Sequence, residues 1–140
     1  MAAAPFQTVH ISEVPVETEF DGAGWRPVRR HFGILSFGAS AYLADVEGQH
    51  VVPDHTEADD SGTRHEELFL VASGRATFTI EGEEVDAPAG TFLYVREPAV
   101  RRSAVAREAG TAVFAVGGTP GEAFAVSPWE RKYDPASADD

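Results

Sequence analysis

The stretch "RHEELFLVASGRATFTIEGEEV", residues 64–85, decides the class of fold. Its segment "RATFTI" alternates polar and apolar residues, which is the period of a β-strand with one buried face. The segment before it, "LFLVA", is an apolar run that is typical of a core strand, and a glycine and "EGEE" supply the turns. The stretch therefore predicts consecutive β-strands, the first of which begins with the polar residues His65 and Glu67.

The same period of two continues through most of the chain, and short turn segments such as "DGAG", "APAG" and "GGTPGE" separate the runs. Closely spaced strands with no amphipathic helix between them predict an antiparallel sandwich or barrel. One short helix is predicted at "SPWERKY", with Ser127 as its N-cap, Glu130 in the first turn and Trp129 against the barrel exterior. The other predicted strands are "RRHFGIL" (29–35), "ASAYLAD" (39–45), "GTFLYV" (90–95), "RRSAVA" (101–106) and "TAVFAV" (111–116).

Composition excludes several classes of function. The chain has 140 residues, the length of one domain, and contains no cysteine, which excludes disulfides and thiolate metal sites. The formal charge is −12, from 23 acidic and 11 basic residues, and disfavours a nucleic-acid or anionic-membrane surface. No secretion signal and no apolar run long enough for a membrane span is recognisable, so a cytoplasmic protein is expected.

Two short patterns resemble the cupins, whose fold is a jelly-roll barrel (a double-stranded β-helix). The first cupin pattern is a glutamate, six residues and a glycine, which here are Glu67, "LFLVAS" and Gly74. The second begins with Gly90, continues through "TFLYV" and "REP", and places Arg101 where the family has a histidine. The resemblance implies an all-β antiparallel barrel over 35–126, preceded by N-terminal strands and an extension (1–34) and followed by a short helix and a disordered acidic tail (127–140).

The resemblance also implies a metal site inside the barrel, built from two histidines and the glutamate of the first pattern and the histidine of the second. Such a set suits Fe(II), Mn(II), Ni(II) or Zn(II). Only Glu67 falls directly in place here. His55 fills the first position if the acidic segment after it is a loop insertion, and Glu57 then replaces the second histidine. His55, His65 and Glu67 are the candidate metal ligands, whereas an arginine cannot ligate a cation.

Arg101 is the distinctive residue of this sequence. If "RRSAVA" alternates, one arginine of the pair faces inward, and the register of the cupin pattern makes it Arg101. A buried guanidinium needs a partner, since an unpaired buried charge is very costly. That partner is either Glu67, in an ion pair that replaces the metal, or an anionic group on a small ligand, with Glu67 or His65 placed to move a proton. Arg101, Glu67 and His65 are therefore the candidate ligand-binding residues.

Three functions remain open at the level of the sequence. The first, which we favour, is a barrel that binds a small anionic molecule beside a degenerate metal site, with no cofactor. The second is a metal-dependent dioxygenase or isomerase that uses His55, His65 and Glu67. The third is a metal-free sugar or keto-acid isomerase or epimerase, which would need Tyr94 as an inward-facing acid. Whether the protein is an enzyme stays open.

Further expectations concern packing and assembly. A homodimer is expected, because cupins commonly pair through N-terminal strands and "FQTVHI" (6–11) is an available edge strand. Three histidines outside the two patterns are expected to be structural or surface residues, and four aromatic residues are expected in the core. The histidines are His10, His31 and His50, and the aromatic residues are Trp25, Tyr42, Phe78 and Phe114.

Overall fold

The computed structural model describes residues 4–17, 22–58 and 64–133. Within them, eight strands form two antiparallel four-stranded sheets, with the orders β1-β8-β3-β6 and β2-β7-β4-β5. The strands are β1 (Gly38–Leu43), β2 (His50–His55), β3 (Glu66–Ser73), β4 (Arg75–Ile80), β5 (Glu83–Pro88), β6 (Phe92–Val95), β7 (Arg102–Ala106) and β8 (Ala112–Gly118). Neighbouring strands in each sheet are mostly distant in sequence, as is typical of a jelly roll. The predicted all-β antiparallel jelly-roll barrel is therefore confirmed.

The core lies between the two sheets and follows from strand alternation. In β4, Ala76 and Phe78 are fully buried, and the Phe78 ring meets the Phe69 ring of β3 edge-on at 5.5 Å between centroids. Trp25 and Tyr42 also belong to the buried cluster, as predicted. Phe114 does not, because it alternates to the outer face of β8 and is half-buried there.

The predicted strand "RRHFGIL" (29–35) is wrong. The chain forms a short helix instead, α1 (Val28–Phe32), which Pro27 precedes and Gly33 ends in a left-handed conformation with φ 74°. The backbone N–H of Gly33 closes the last turn by donating to the Arg29 carbonyl, 2.9 Å away. Proline before and glycine after a five-residue segment outweigh the β-like composition of the segment itself.

The other N-terminal strands predicted within 1–34 are also absent from the described part of that region. It contains a 3₁₀ helix, Ile11–Glu13, and a bridge between Arg26 and Ala41. The segment "FQTVHI" (6–11) joins no sheet and its last residue begins the 3₁₀ helix, so it is not the predicted edge strand. The homodimer expected from it stays a prediction, without this support.

The two edge strands of the second sheet, β2 and β5, were not predicted individually. Each contains a proline, Pro53 in β2 and Pro88 at the end of β5, which lowers the strand propensity of its sequence. Proline is tolerated in an edge strand, because one side of that strand has no ladder of hydrogen bonds to lose. The edge positions therefore explain why both segments are strands.

The predicted C-terminal helix is present as a 3₁₀ helix, Pro128–Tyr133, with Glu130 in its first turn. Trp129 packs edge-on against the buried Trp25, with 4.9 Å between ring centroids. Glu130 forms a buried ion pair with Arg29 of α1, at 2.7 Å. The predicted acidic tail, 134–140, lies outside the described residues. No helix within the described residues is long and apolar enough to cross a membrane.

Candidate metal site at one end of the barrel

Three strand ends meet at one end of the barrel and carry the polar side chains that the sequence singles out. His55 is the last residue of β2, Glu67 the second residue of β3, and Arg102 the first residue of β7. His55 and Arg102 are direct partners in the antiparallel register of β2 and β7. Antiparallel pairing places the end of β2 beside the beginning of β7. The facing sheet brings the beginning of β3 to the same end, where Glu67 contacts Arg102.

His55, Glu57 and Glu67 converge there. The Nε2 atom of His55 lies 3.0 Å from Oε2 of Glu57 and 3.7 Å from Oε1 of Glu67. One ligand atom from each residue lies within 4.8 Å of the other two. The Nδ1 atom of His55 is 2.7 Å from the Pro53 carbonyl oxygen. A proton on Nδ1 donates to that carbonyl and leaves the Nε2 lone pair facing the carboxylates, which is how histidine ligands are commonly oriented.

The charges of this group are strongly coupled. Burial lowers the pKa of His55, but the hydrogen bonds to Glu57 and Glu67 outweigh it and raise the pKa to about 10. Burial acts to raise the pKa of Glu67, yet His55 and Arg102 together hold it below its usual value. Burial, followed by the charges of Glu67 and Glu57, raises the pKa of Tyr42. Without a metal, the group is therefore an imidazolium held by two carboxylates.

The inward-facing arginine is Arg102, and the prediction that Arg101 faces inward is wrong. Arg102 is fully buried and donates from Nη1 to Oε1 of Glu67 at 2.8 Å. The Arg101 side chain is 59% exposed and meets Asp54 at 3.2 Å outside the barrel. The turn before β7 is closed by Val100 N–H, which donates to the Glu97 carbonyl, and the inward position falls one residue later than the register of the cupin pattern predicts. A shift of one residue exchanges the two faces of a strand.

Nε and Nη2 of Arg102 donate to backbone carbonyls of the protein itself. Its Nε donates to the Val100 carbonyl at 3.0 Å, and its Nη2 donates to the carbonyls of Val100, Pro98 and Glu97 at 2.8, 3.2 and 3.3 Å. The guanidinium thus anchors the turn before β7 and orients Glu67. The ion pair with Glu67 that was predicted for Arg101 therefore exists, but with Arg102.

His65 lies beside the group, not within it. It is 7% exposed, its ring stacks on Phe124 at 5.4 Å, and its Nδ1 is 3.9 Å from Oε1 of Glu57. The structure therefore brings together the predicted pair His55 and Glu67, and adds Glu57 in the place predicted for His65. Tyr94, the proposed acid of a metal-free isomerase, faces outward and donates to the Glu66 carboxylate.

The donor set fits a divalent metal. One imidazole nitrogen and two carboxylates are ligands that Mn(II), Fe(II) and Zn(II) accept in proteins. Ligand bonds of about 2.0–2.2 Å around a tetrahedral ion place neighbouring donors about 3.4 Å apart. The separations at His55, 3.0 and 3.7 Å, bracket that value. The Arg102 guanidinium opposes a cation, but two carboxylates exceed its charge once His55 is neutral.

Glu57 was considered as a replacement for the second histidine, from its spacing of two from His55, but was not among the candidate ligands. It lies beyond the end of β2 and comes near Glu67 only through the fold. Tyr42 was predicted as core and is buried, but the carboxylates that raise its pKa reach it from other strands. Neither proximity is encoded in a local pattern.

Comparisons with solved structures agree with this architecture. A cupin protein from Bacteroides fragilis shares 16% identity, with 89% of this chain and 93% of that chain covered and a TM-score of 0.59. A sugar phosphate isomerase from a cupin superfamily, from Silicibacter pomeroyi, shares 12% identity over 79% of this chain and 74% of its own, with a TM-score of 0.60. A predicted oxalate decarboxylase from Thermotoga maritima shares 15% identity over 79% and 97%, with a TM-score of 0.57.

No protein-family model and no curated protein sequence matches the chain. The solved structures are too distant in sequence to transfer an activity, but their fold agrees with the topology described above. The chain therefore has the cupin fold, as its two short sequence patterns predicted.

Proposed function

We propose that His55, Glu57 and Glu67 bind a divalent transition-metal ion, and that the protein uses this ion to bind a small anionic molecule at the end of the barrel. The observation that carries the proposal is the convergence of three ligand atoms within 4.8 Å, from side chains that the barrel half-buries. Three protein ligands leave further coordination positions open, as in catalytic metal sites. An anionic oxygen donor is the natural occupant of such a position.

Arg102 has a defined part in this proposal. By donating to Oε1 of Glu67 it keeps that carboxylate ionised and fixes its orientation, as partners of metal ligands commonly do. Its Nε and Nη2 donate to backbone carbonyls, so most of its hydrogen-bonding capacity is used within the protein and we expect an anion to bind to the metal. This differs from the hypothesis of a degenerate site, in which the arginine itself captures the ligand.

The similar structures give modest support for the ligand class. Two of them are described as a sugar phosphate isomerase and a predicted oxalate decarboxylase. Sugar phosphates and oxalate are both small oxyanions, which is the class proposed here. A metal-free isomerase has less support, because Tyr94, its proposed acid, lies on the outer face of the barrel.

The test is the metal content of protein purified without a histidine tag, measured by elemental mass spectrometry before and after reconstitution with Mn(II), Fe(II) or Zn(II). One equivalent of metal is expected for the wild type, and a large loss for His55→Ala and Glu57→Gln. Matched controls are His31→Ala, an exposed histidine on α1, and Glu66→Gln, the neighbour of Glu67 on the opposite face of β3. Both controls should bind metal as the wild type does.

The raised pKa of His55 favours one alternative, in which His55, Arg102 and the two carboxylates form a structural ionic network that binds no metal. With His55 protonated, its charge and that of Arg102 balance the two carboxylates, and the raised pKa of His55, about 10, is consistent with that state. In this case the reconstituted wild type holds no more metal than His55→Ala. That result would contradict the metal site while leaving the fold assignment intact.

A further inference from the structure

The end of the barrel has a second feature, a cavity of about 290 Å³ between the start of β3 and the segment that follows β8. Its lining includes the side chains of Arg64, His65, Glu122 and Arg131, together with small apolar residues such as Ala125 and Val126. The volume is near the lower limit of ordinary ligand sites, so the cavity suits a small metabolite.

The lining of this cavity carries a net positive charge, whereas the whole protein is negatively charged. Two arginines and one glutamate line the cavity, although the chain as a whole carries a charge of −12. Among the residues that the structure describes, neither Arg64 nor Arg131 forms an ion pair with a described acid. Guanidinium groups bind carboxylates and phosphates through paired hydrogen bonds, so their pairing around a small cavity favours an oxyanion.

The cavity adjoins the proposed metal ligands. His65 lines the cavity, and its Nδ1 atom lies 3.9 Å from Oε1 of Glu57. The backbone of Arg64 is tied to the same residue, because its N–H donates to the Glu57 carbonyl at 2.9 Å. Arg64 has a positive φ of 54°, an uncommon conformation for a residue other than glycine. Such backbone strain is often found where a side chain is held for binding.

The opposite wall of the cavity is held rigidly. Glu130, next to Arg131, forms a buried ion pair with Arg29 at 2.7 Å, and Phe124 stacks on His65. These contacts fix the segment after β8 before any ligand arrives. Preformed walls lower the entropy that a ligand loses on binding.

We infer that this cavity binds the oxyanion group, a carboxylate or a phosphate, of a small molecule through Arg64 and Arg131. One part of the inference rests on the proposed function, namely that the molecule bound in the cavity is also the one that binds the metal. The binding itself requires no metal, because its charged groups lie outside the His55–Glu57–Glu67 group.

The experiment measures binding of inorganic phosphate and of oxalate to metal-free wild-type protein, by calorimetry and by the rise in Tm, at low salt with chloride as the reference anion. Arg64→Gln and Arg131→Gln should each weaken binding about tenfold, since each removes a charge-assisted hydrogen bond. Glu122→Gln should strengthen binding, because it removes the carboxylate that repels an anion. Both arginines are exposed, so the variants are expected to fold.

Arg101→Gln is the matched control, because it removes one positive charge at the same end of the barrel without touching the cavity. It should bind both anions as the wild type does. Binding of phosphate alone, or of oxalate alone, identifies the phosphate or the carboxylate as the recognised group. No binding of either anion, or an equal loss in Arg101→Gln and Arg64→Gln, would overturn the inference.

Metal titrations of the same variants separate this inference from the proposed function. Arg64→Gln and Arg131→Gln should bind metal as the wild type does, since neither residue is a ligand. If the wild type binds anions but no metal, only the proposed function fails. If it binds metal but no anion, only the cavity assignment fails.

Discussion

Arg102 is the residue with the largest structural consequence at the site. Its side chain is fully buried and shares Glu67 with His55, so its loss leaves a carboxylate without its closest cation in a low-dielectric environment. Breaking one side of a buried ion pair costs more than the pair contributes, because the remaining charge stays desolvated. The identity of this residue therefore matters for stability independently of any ligand.

We expect Arg102→Met to lower the free energy of unfolding by about 3–5 kcal/mol. The control is Arg101→Met. The side chains of Arg101 and its partner Asp54 are each 59% exposed, so this substitution should lower the free energy of unfolding by less than about 1 kcal/mol. Urea unfolding followed by circular dichroism at one pH measures both. Equal losses in the two variants would contradict the inward position of Arg102.

The pKa of His55 predicts how stability depends on pH in the metal-free protein. The folded-state value, about 10, lies above the usual value, so the stabilisation is fully present below about pH 6.5 and is lost as the pH rises through about 10. The pKa of Glu67 is lowered, so its contribution is lost only on acidification through that lowered value. Both contributions are therefore present together near neutral pH.

We expect the free energy of unfolding to fall between pH 7 and pH 10, by at most about 1.4 kcal/mol per pH unit. His55→Gln should remove most of this slope, whereas His31→Gln, at an exposed position, should keep it. Urea titrations at four or five pH values measure the slope. A wild-type curve parallel to that of His55→Gln would show that the imidazolium is not held by the carboxylates.

At the level of the elements, the turn between β3 and β4 is the most restrictive. Gly74 has φ 73°, and a Cβ atom there would lie 2.3 Å from Oγ1 and 2.6 Å from Cα of Thr111. Thr111 is itself fully buried and accepts from the Arg75 N–H, so it cannot move away easily. The glycine of the first cupin pattern is thus explained by a close approach as well as by its backbone conformation.

We expect Gly74→Ala to lower the free energy of unfolding by about 3 kcal/mol, from left-handed strain together with overpacking. Gly82→Ala is the matched control, because Gly82 has a similar φ of 84° with nothing within 4 Å of the added Cβ, and it should cost only about 1 kcal/mol. Denaturant unfolding of both variants measures the difference. Similar costs would mean that Thr111 yields to the new methyl group.

Some helices and strands were predicted correctly from the sequence and others were not. Alternation located the strands of the barrel, because the side-chain period of a strand is a local property. It failed at α1, where Pro27 and Gly33 override five residues of strand-like composition. It also passed over β2 and β5, whose prolines are compatible with strands only at the sheet edges. Edge positions are known only when the whole sheet is assembled.

At the scale of the whole molecule, a bound metal would link the strand ends and stabilise the barrel. At about 100 times its Kd, a single ion raises the free energy of unfolding by about 2.7 kcal/mol, which corresponds to a Tm increase of about 10 °C for a chain of this size. The increase should grow with pH at a fixed metal concentration, because the ion displaces the proton of His55. Differential scanning calorimetry with Mn(II) or Zn(II) measures it.

The control for the metal effect is Glu57→Gln, which keeps the shape of the side chain but removes one of the two carboxylate ligands. It should show a much smaller increase in Tm, and a chelator should return the wild type to the metal-free value. An equal increase in the wild type and in Glu57→Gln would indicate that the metal binds elsewhere on this acidic protein.

The sequence by itself determined the class of fold, six of the eight strands, the C-terminal helix and the importance of Glu67, because alternation, turn residues and short spacings are local. Only the tertiary structure decided which arginine faces inward, since a difference of one residue in register exchanges Arg101 and Arg102. It also decided that Glu57 joins His55 and Glu67. That convergence depends on strand ends that are distant in sequence and meet only when both sheets are formed.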